Sequence, residues 1–221
     1  MFLVLPSAMG HPRTFPGPYL IALFFLSQLH VPGRTLFVDL NSPMPIAPYS
    51  DWVTAAETIQ DAIDNARPGD LILVTNGVYQ KGGRAIFGRT MNRVALTCPV
   101  TLQSVNGPSV TEIRGYQVPG ITNADSSARC AYLTNGSVLA GFTLAAGATR
   151  AIGTPKDQAG GGIWCEPGAL VFNCCILGNR AHGIGGGVFQ GNLKNCLLRA
   201  NAAFEKGGGA YEAILVNCML T

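Results

Sequence analysis

Charged side chains are scarce in this chain. Only 12% of its 221 residues are Asp, Glu, Lys or Arg, the net charge is +3, and the 15 basic residues form no run. A nucleic-acid-binding surface needs a basic patch, so the composition argues against a nucleic-acid partner. Hydrophobic residues make up 48% of the chain, and such a content indicates a packed domain rather than disorder.

No apolar run reaches the roughly 20 residues that a transmembrane helix needs. The longest runs from Tyr19 to Leu26, continues weakly to Val31, and follows the basic residue Arg13. Its length and flanking charge are those of an export signal. We therefore predict a signal-peptide-like leader at residues 1–33, with no evident cleavage site, and a secreted or cell-surface domain at residues 34–221.

Segments of helical periodicity are missing from the C-terminal part, which instead repeats one unit. A triple glycine, an apolar residue and an aromatic residue occur at 160–164, 185–189 and 207–211, and Asn-Cys pairs follow at 173–174, 195–196 and 217–218 with a step of 22 residues. A fixed step of this size indicates a solenoid. Triple glycine disfavours a helix, and 22 residues at ~3.3 Å each give a coil of three short strands, about 70 Å around.

Three columns of apolar residues repeat at the 22-residue step, and we predict that they line the coil interior. The apolar positions lie two residues before and one residue after the Asn of each Asn-Cys pair, and two such positions cannot share one face of a flat strand. We therefore predict that this Asn lies in a bend, where stacked amides form a ladder. The cysteines of one column would lie about 4.8 Å apart, too far for an unstrained disulfide, so we predict buried free thiols. The columns are Val171/Leu193/Leu215, Cys174/Cys196/Cys218 and Ile176/Leu198/Leu220.

These repeated units resemble those of right-handed parallel β-helices of the pectin-lyase-like superfamily, especially bacterial surface or secreted repeat proteins. The segment Ile59–Tyr79, I-Q-x-A-I-D-x-A-x-x-G-D-x-I-x-V-x-x-G-x-Y, looks like the start of many such domains. The resemblance implies an all-β solenoid with an N-terminal capping helix at about 52–66, and structural roles for Gln60, Asp61 and Asp70. We expect five or six coils, irregular over 70–159 and regular over 160–221.

The last repeat stops before its coil is complete. We therefore expect a truncated C-terminus and a monomer that continues into further coils. An uncapped solenoid end would expose apolar core and unpaired strand edges.

Catalytic residues of the superfamily leave a spacing signature that this chain does not show. By the resemblance, lyases use an Arg or Lys base and often Ca²⁺, and glycosidases use paired Asp residues. Carboxylates one coil apart would lie about 5 Å from each other, yet none of Asp157, Glu166, Glu205 and Glu212 are 22 residues apart. Without Cys-x-x-Cys we predict no metal site, and Ca²⁺ enters only if the protein is a lyase.

Two weaker candidates lie on turns. Arg180 and His182 are the catalytic candidates if a site exists, although Phe204 one coil after His182 favours packing between the two rings. Lys156 and Asp157 lie in a ten-residue insertion and are interpreted as a solvated loop tip.

The aromatic column Trp164, Phe189 and Tyr211 is the candidate carbohydrate-binding site. If exposed, the stacked rings offer a platform to sugars; if buried, they belong to the core. Polar residues follow two of them, Gln190 and Glu212, and strand alternation then favours aromatics that face the interior.

Two functions remain open from the sequence. One is a structural, adhesin-like or carbohydrate-binding surface module with polysaccharide as its partner and no catalytic constellation. The alternative is a polysaccharide lyase or glycoside hydrolase whose site lies in the insertion loops or in further coils. The sequence decides neither whether the protein is an enzyme nor which glycan it binds.

Overall fold

A computed structural model describes residues 33–221 of the chain. The predicted leader, residues 1–33, lies outside this range except for its last residue. Two short helices occur, α1 (Ile59–Asn65) and α2 (Pro155–Gln158). The strands are, in chain order, β1 (Thr35–Val38), β2 (Leu71–Val74), β3 (Gly77–Tyr79), β4 (Arg84–Ala85), β5 (Met91–Leu96), β6 (Thr101–Ser104), β7 (Thr111–Arg114), β8 (Ala128–Leu133), β9 (Val138–Ala140), β10 (Thr143–Ala145), β11 (Ile163–Cys165), β12 (Leu170–Phe172), β13 (Cys175–Leu177), β14 (Arg180–Ala181), β15 (Val188–Phe189), β16 (Asn192–Lys194), β17 (Leu197–Arg199), β18 (Ala202–Ala203), β19 (Ala210–Tyr211), β20 (Ile214–Val216) and β21 (Met219–Leu220).

The strands form three long sheets, and the chain visits each sheet once per coil. Sheet A has the order β1-β2-β6-β9-β12-β16-β20, sheet B the order β3-β7-β10-β13-β17-β21, and sheet C the order β4-β5-β8-β11-β15-β19. All neighbours are parallel except β4 and β5. The predicted right-handed parallel β-helix is confirmed, with six or seven strands per sheet.

The predicted interior columns are confirmed in the first two regular coils. Val171 pairs in register with Leu193, and both are buried together with Cys174 and Ile176. All seven cysteines are free thiols, and burial raises the pKa of Cys196 to about 11. The members of the last coil, Leu215, Cys218 and Leu220, are half-buried or exposed because no later coil within residues 33–221 covers them.

Asparagines make the predicted bends and ladders. Asn173, Asn195 and Asn217 have φ values of 50°, 57° and 52°, a left-handed conformation that Asn tolerates better than most residues, and Asn217 Nδ2 donates to Asn195 Oδ1 over 2.7 Å. A second ladder lies inside the coils, where the fully buried Asn179 donates to Asn201 Oδ1 over 3.0 Å. These contacts fix neighbouring coils in register.

The triple glycines are required by the backbone of the neighbouring turn. Gly185 has a φ of 65°, and a Cβ on Gly186 would collide with the carbonyl oxygens of Ala202 and Gly208. The first glycine therefore supplies the conformation and the second permits the close approach.

Helix α1 is shorter than the predicted 52–66. Ala56 is bonded through its backbone to Phe37 and Asp39, so the chain before the helix runs beside β1, and α1 begins only after its N-cap, Thr58. The helix packs against β1, β2 and β5, and Gln60 Oε1 accepts from the backbone N–H of Ala95 over 2.8 Å. No helix within residues 33–221 is long and apolar enough to cross a membrane.

Asp70 fixes the turn between α1 and β2. Its carboxylate accepts hydrogen bonds from the backbone and side chain of Arg34 and from the backbone of Arg67. Burial alone would raise the pKa of Asp70, but these donors outweigh burial and lower it. Asp70 has the structural role that the resemblance implied.

Candidate functional site

The aromatic column forms a continuous stack on sheet C. Tyr132, Trp164, Phe189 and Tyr211 are register partners on successive strands, with ring centroids 5.5, 5.5 and 6.3 Å apart. The stacking of Trp164, Phe189 and Tyr211 that the repeat predicts is present. Tyr132 extends it by one coil.

The rings point away from the coil interior, so the preferred interpretation of inward-facing aromatics is wrong. Ile163 and Cys165 belong to the interior core, whereas Trp164 between them belongs to a separate apolar cluster. Gln190 and Glu212 have φ values of 59° and 53°. Strands β15 and β19 end at Phe189 and Tyr211, so the alternation of inward and outward side chains cannot be extended to the left-handed residues that follow.

Trp164 is nevertheless covered, with an exposed fraction of only 5%. Phe87 contacts its edge at a centroid distance of 5.3 Å, and Lys156 Nζ lies 5.9 Å from its centroid. Tyr132 and Phe189 cover its two faces. Trp164 therefore offers no open face to a sugar, while Phe189 and Tyr211 are half-buried.

Asp157 anchors the segments that cover Trp164. Its carboxylate accepts from the backbone N–H groups of Arg89, Thr90 and Thr154 over 2.9, 3.1 and 3.0 Å, and from the hydroxyls of both threonines. Burial would raise the pKa of Asp157, but these donors dominate and hold it far below its usual value. The interpretation of Asp157 as a solvated loop tip is wrong, because the residue is 3% exposed.

Arg129, on strand β8 of sheet C, attaches α2 to that sheet. Its buried guanidinium donates to the carbonyl oxygen of Ala159 over 2.9 Å and to that of Lys156, and it approaches Asn92 Oδ1 at 3.4 Å. Burial lowers the pKa of Arg129 to about 9. The carbonyl oxygens of Lys156 and Ala159 thus stabilise the buried positive charge of Arg129, and the hydrogen bonds hold both carbonyls in place.

A cleft of about 340 Å³ opens between α2 and the turn at Glu166 and Pro167. Trp164 and Phe189 line it together with Lys156, Glu166 and Gln190. Tyr132 Oη donates to Glu166 Oε1 over 3.1 Å, and burial together with the Glu166 charge raises the pKa of Tyr132 to about 12. Gln190 Nε2 donates to Glu212 Oε2 over 3.0 Å.

Of the polar residues of the cleft, Lys156 was a weak candidate from the sequence, whereas Glu166 and Gln190 were not identified as candidates. Glu166 lies just after an aromatic strand and Lys156 lies in the insertion, and only the fold brings them together. Glycosidases of the two common mechanisms use two carboxyl groups; among the described residues that line the cleft, Glu166 is the one carboxylate.

The catalytic candidates Arg180 and His182 lie elsewhere. Arg180 is exposed and borders a different groove, while the His182 ring stacks on Phe204 with centroids 5.7 Å apart and planes within 5°. The predicted stacking of His182 on Phe204 is confirmed. Within residues 33–221, no group of three or more His, Cys, Asp or Glu side chains is arranged to hold a metal ion.

The fold is that of the pectin-lyase-like right-handed parallel β-helices. Among solved structures, the chain is similar to the pectin methylesterase PemA from Erwinia chrysanthemi, with a TM-score of 0.50 and 15% identity over 84% of this chain and 54% of that one. A pectin methylesterase in complex with hexasaccharide VII is similar at a TM-score of 0.46 and 15% identity, over 84% of this chain and 65% of that one. The chain thus spans between half and two thirds of their lengths. No family model matches the chain, and no curated protein matches it.

Proposed function

We propose that this chain is a secreted or cell-surface β-helix module that binds carbohydrate in the cleft between α2 and the turn at Glu166 and Pro167. The observation that carries the proposal is the composition of the cleft, in which apolar rings meet converging polar groups. That combination is typical of small-molecule sites. Sugars match it, because their apolar C–H faces and their hydroxyls need both kinds of partner.

Each group in the cleft has a distinct role in this proposal. The edge of Trp164 and the half-buried ring of Phe189 provide the apolar base. Lys156 and Gln190 donate hydrogen bonds to hydroxyl oxygens, and Glu166 accepts from hydroxyl groups. The indole N–H of Trp164 has no hydrogen-bond partner among residues 33–221 and is closed to solvent, so it takes no part in these contacts.

A second candidate function is a polysaccharide lyase or glycoside hydrolase. Its support is that a carboxylate, Glu166, and an ammonium group, Lys156, border the same cleft, where they would act as proton acceptor and donor. The likeness to a pectin methylesterase concerns the fold alone. Release of reducing or unsaturated sugar by the wild type, abolished by Glu166→Gln, would favour the enzyme over the binding module.

Two substitutions test the binding site. Phe189→Ala removes part of the apolar base, and Lys156→Met removes the charge of the ammonium group that lies 4.1 Å from the Phe87 centroid while keeping an unbranched side chain. Each should weaken binding to a retained polysaccharide by about tenfold, equivalent to ~1.4 kcal/mol. Depletion of the protein by insoluble cellulose, chitin, xylan and pectin, followed by titration on any that binds, measures the effect.

The matched controls lie on the outer surface of sheet A. Phe172 is 37% exposed and Lys194 is exposed on β16, and neither borders the cleft. Phe172→Ala and Lys194→Met should leave binding unchanged. Equal losses in the cleft variants and the controls, or no retention by any polysaccharide, would contradict the proposed site.

A further inference from the structure

Glu166 places a negative charge in the cleft beside α2. Its backbone N–H donates to the carbonyl oxygen of Leu133 over 2.8 Å, and its own carbonyl accepts from the N–H of Ala169 over 3.0 Å. The residue is half-buried. The position of this charge in the cleft is therefore set by backbone hydrogen bonds on both sides of the side chain.

Tyr132 holds the carboxylate of Glu166 as well. Its hydroxyl donates to Glu166 Oε1 over 3.1 Å. Tyr132 is 6% exposed, and its ring stacks on Trp164 with the two planes within 18°. An acidic side chain on a surface can rotate away from an approaching anion, but Glu166 would leave a buried donor without its partner. The carboxylate thus stays in the cleft, and Tyr132 leaves its second oxygen, Oε2, to a ligand.

The positive charge of the cleft, on Lys156, is directed at aromatic rings. Lys156 Nζ lies 4.1 Å from the centroid of Phe87 and 5.9 Å from that of Trp164, so part of its charge already interacts with two π systems. The four ion pairs within residues 33–221 involve neither Lys156 nor Glu166. The charge of Glu166 is therefore not cancelled by a paired cation in the described part of the chain.

A second carboxylate lies next to the cleft. Gln190, which lines the cleft, donates to Glu212 Oε2 over 3.0 Å. Glu212 is exposed, so salt screens its charge more than that of the half-buried Glu166. Both carboxylates repel an anion, and the charge of Glu166 has the larger effect on a ligand in the cleft.

We infer that the cleft selects uncharged glycans, and that Glu166, positioned by Tyr132, excludes uronates, the sugars that bear a carboxylate. The inference rests on the proposed binding function and names its ligand class. A hydroxyl group of an uncharged sugar donates to Glu166 Oε2. A uronate instead brings a second carboxylate beside the first, and like charges in contact disfavour the complex strongly.

Pairs of oligosaccharides on the same backbone, one neutral and one carboxylated, test the selectivity on the whole chain. The pairs are cellohexaose and chitohexaose, each with its C6-oxidised form, methyl-esterified with de-esterified hexagalacturonate, and xylohexaose with its glucuronate-substituted form. Calorimetric titration should give the neutral member of a pair that binds an affinity at least about tenfold higher. Equal or tighter binding of the acidic member overturns the inference and leaves carbohydrate binding intact. Binding of no member of any pair contradicts the proposed function and this inference with it.

Salt dependence separates repulsion by Glu166 from attraction by Lys156. Raising the salt concentration from ~20 mM to ~0.5 M shortens the range over which charges interact. The affinity for the acidic member should therefore rise, and that for the neutral member should stay the same. A fall in the affinity for the acidic member would show net attraction by Lys156 and would overturn the inference.

Variants assign the selectivity to Glu166 and Tyr132. Glu166→Gln should raise the affinity for the acidic member about tenfold, whereas Glu112→Gln, which removes a carboxylate paired with Arg114 on β7, should change neither affinity. Tyr132→Phe keeps the ring and removes the hydroxyl, so the ratio of neutral to acidic affinity should fall severalfold as Glu166 becomes free to rotate. A purely structural role of Tyr132 would lower both affinities and keep their ratio. An unchanged ratio in Glu166→Gln overturns the inference, and if that variant does not fold, the salt dependence of the wild type decides.

Discussion

Replacing Trp164 with alanine is expected to lower the free energy of unfolding by about 3–5 kcal/mol, the usual cost of truncating a buried tryptophan. The indole is 5% exposed and contacts the rings of Tyr132, Phe87 and Phe189. Its removal leaves a cavity among three aromatic side chains and loses their edge and face contacts. Denaturant unfolding of the two proteins, followed by circular dichroism, measures the difference.

The chain provides its own control for this experiment, because it has two tryptophans. Trp52 is 39% exposed and contacts one aromatic ring, Phe37. Trp52→Ala should cost much less than Trp164→Ala and should remove the fluorescence that emits at longer wavelength. If the two variants unfold at the same denaturant concentration, the cover over Trp164 does not form in solution.

Replacing Asp157 with alanine is expected to cost about 3–5 kcal/mol, since five hydrogen bonds to a buried carboxylate are lost and their donors remain. The donors belong to residues 89–90 and to residue 154, so both segments that cover Trp164 lose their anchor. Asp51→Ala is the control, because Asp51 is exposed and accepts its hydrogen bonds from its own turn, among them two from Thr54. Similar losses in the two variants would contradict the anchoring role.

The contribution of Asp157 to stability also depends on pH. Its pKa in the folded protein lies below the unfolded value of ~3.9. The folded state therefore favours the ionised carboxylate, and the stabilisation is complete above pH ~3.9 and is lost as the pH falls below that value. The difference in unfolding free energy between the wild type and Asp157→Asn should shrink over this acidic range. A constant difference would show that the charge contributes nothing.

The coil interior followed from the sequence because its cause is local. Each buried column repeats at the step of one coil. The bends at residues such as Asn195 are visible because the apolar positions before and after the Asn do not fit the alternation of a single strand. The first helical residue was not predicted, because the backbone of Ala56 is taken up by β1, a partner remote in sequence. Periodicity identifies the apolar face of α1. It does not show at which residue the chain stops pairing with β1 and the helix begins.

The cover over sheet C could not be predicted from periodicity. Trp164 meets Phe87, a residue 77 positions earlier, and no repeat relates the two. A local signal for the buried Asp157 did exist, since Thr154 and Asp157 have the spacing of a capping box, which the structure contains. That signal predicts a helix start but not the bonds to Arg89 and Thr90 that bury the carboxylate.

Coil length varies along sheet A while the pairing of the strands does not. Partners in neighbouring strands are separated by 37 residues between Thr101 and Val138, by 32 between Val138 and Leu170, and by 22 between Leu170 and Asn192. Insertions in the turns therefore leave the register of the next strand intact. Natural variation can lengthen or replace the segment around α2, and with it the ligand preference of the cleft, while selection on the stacked core stays unchanged.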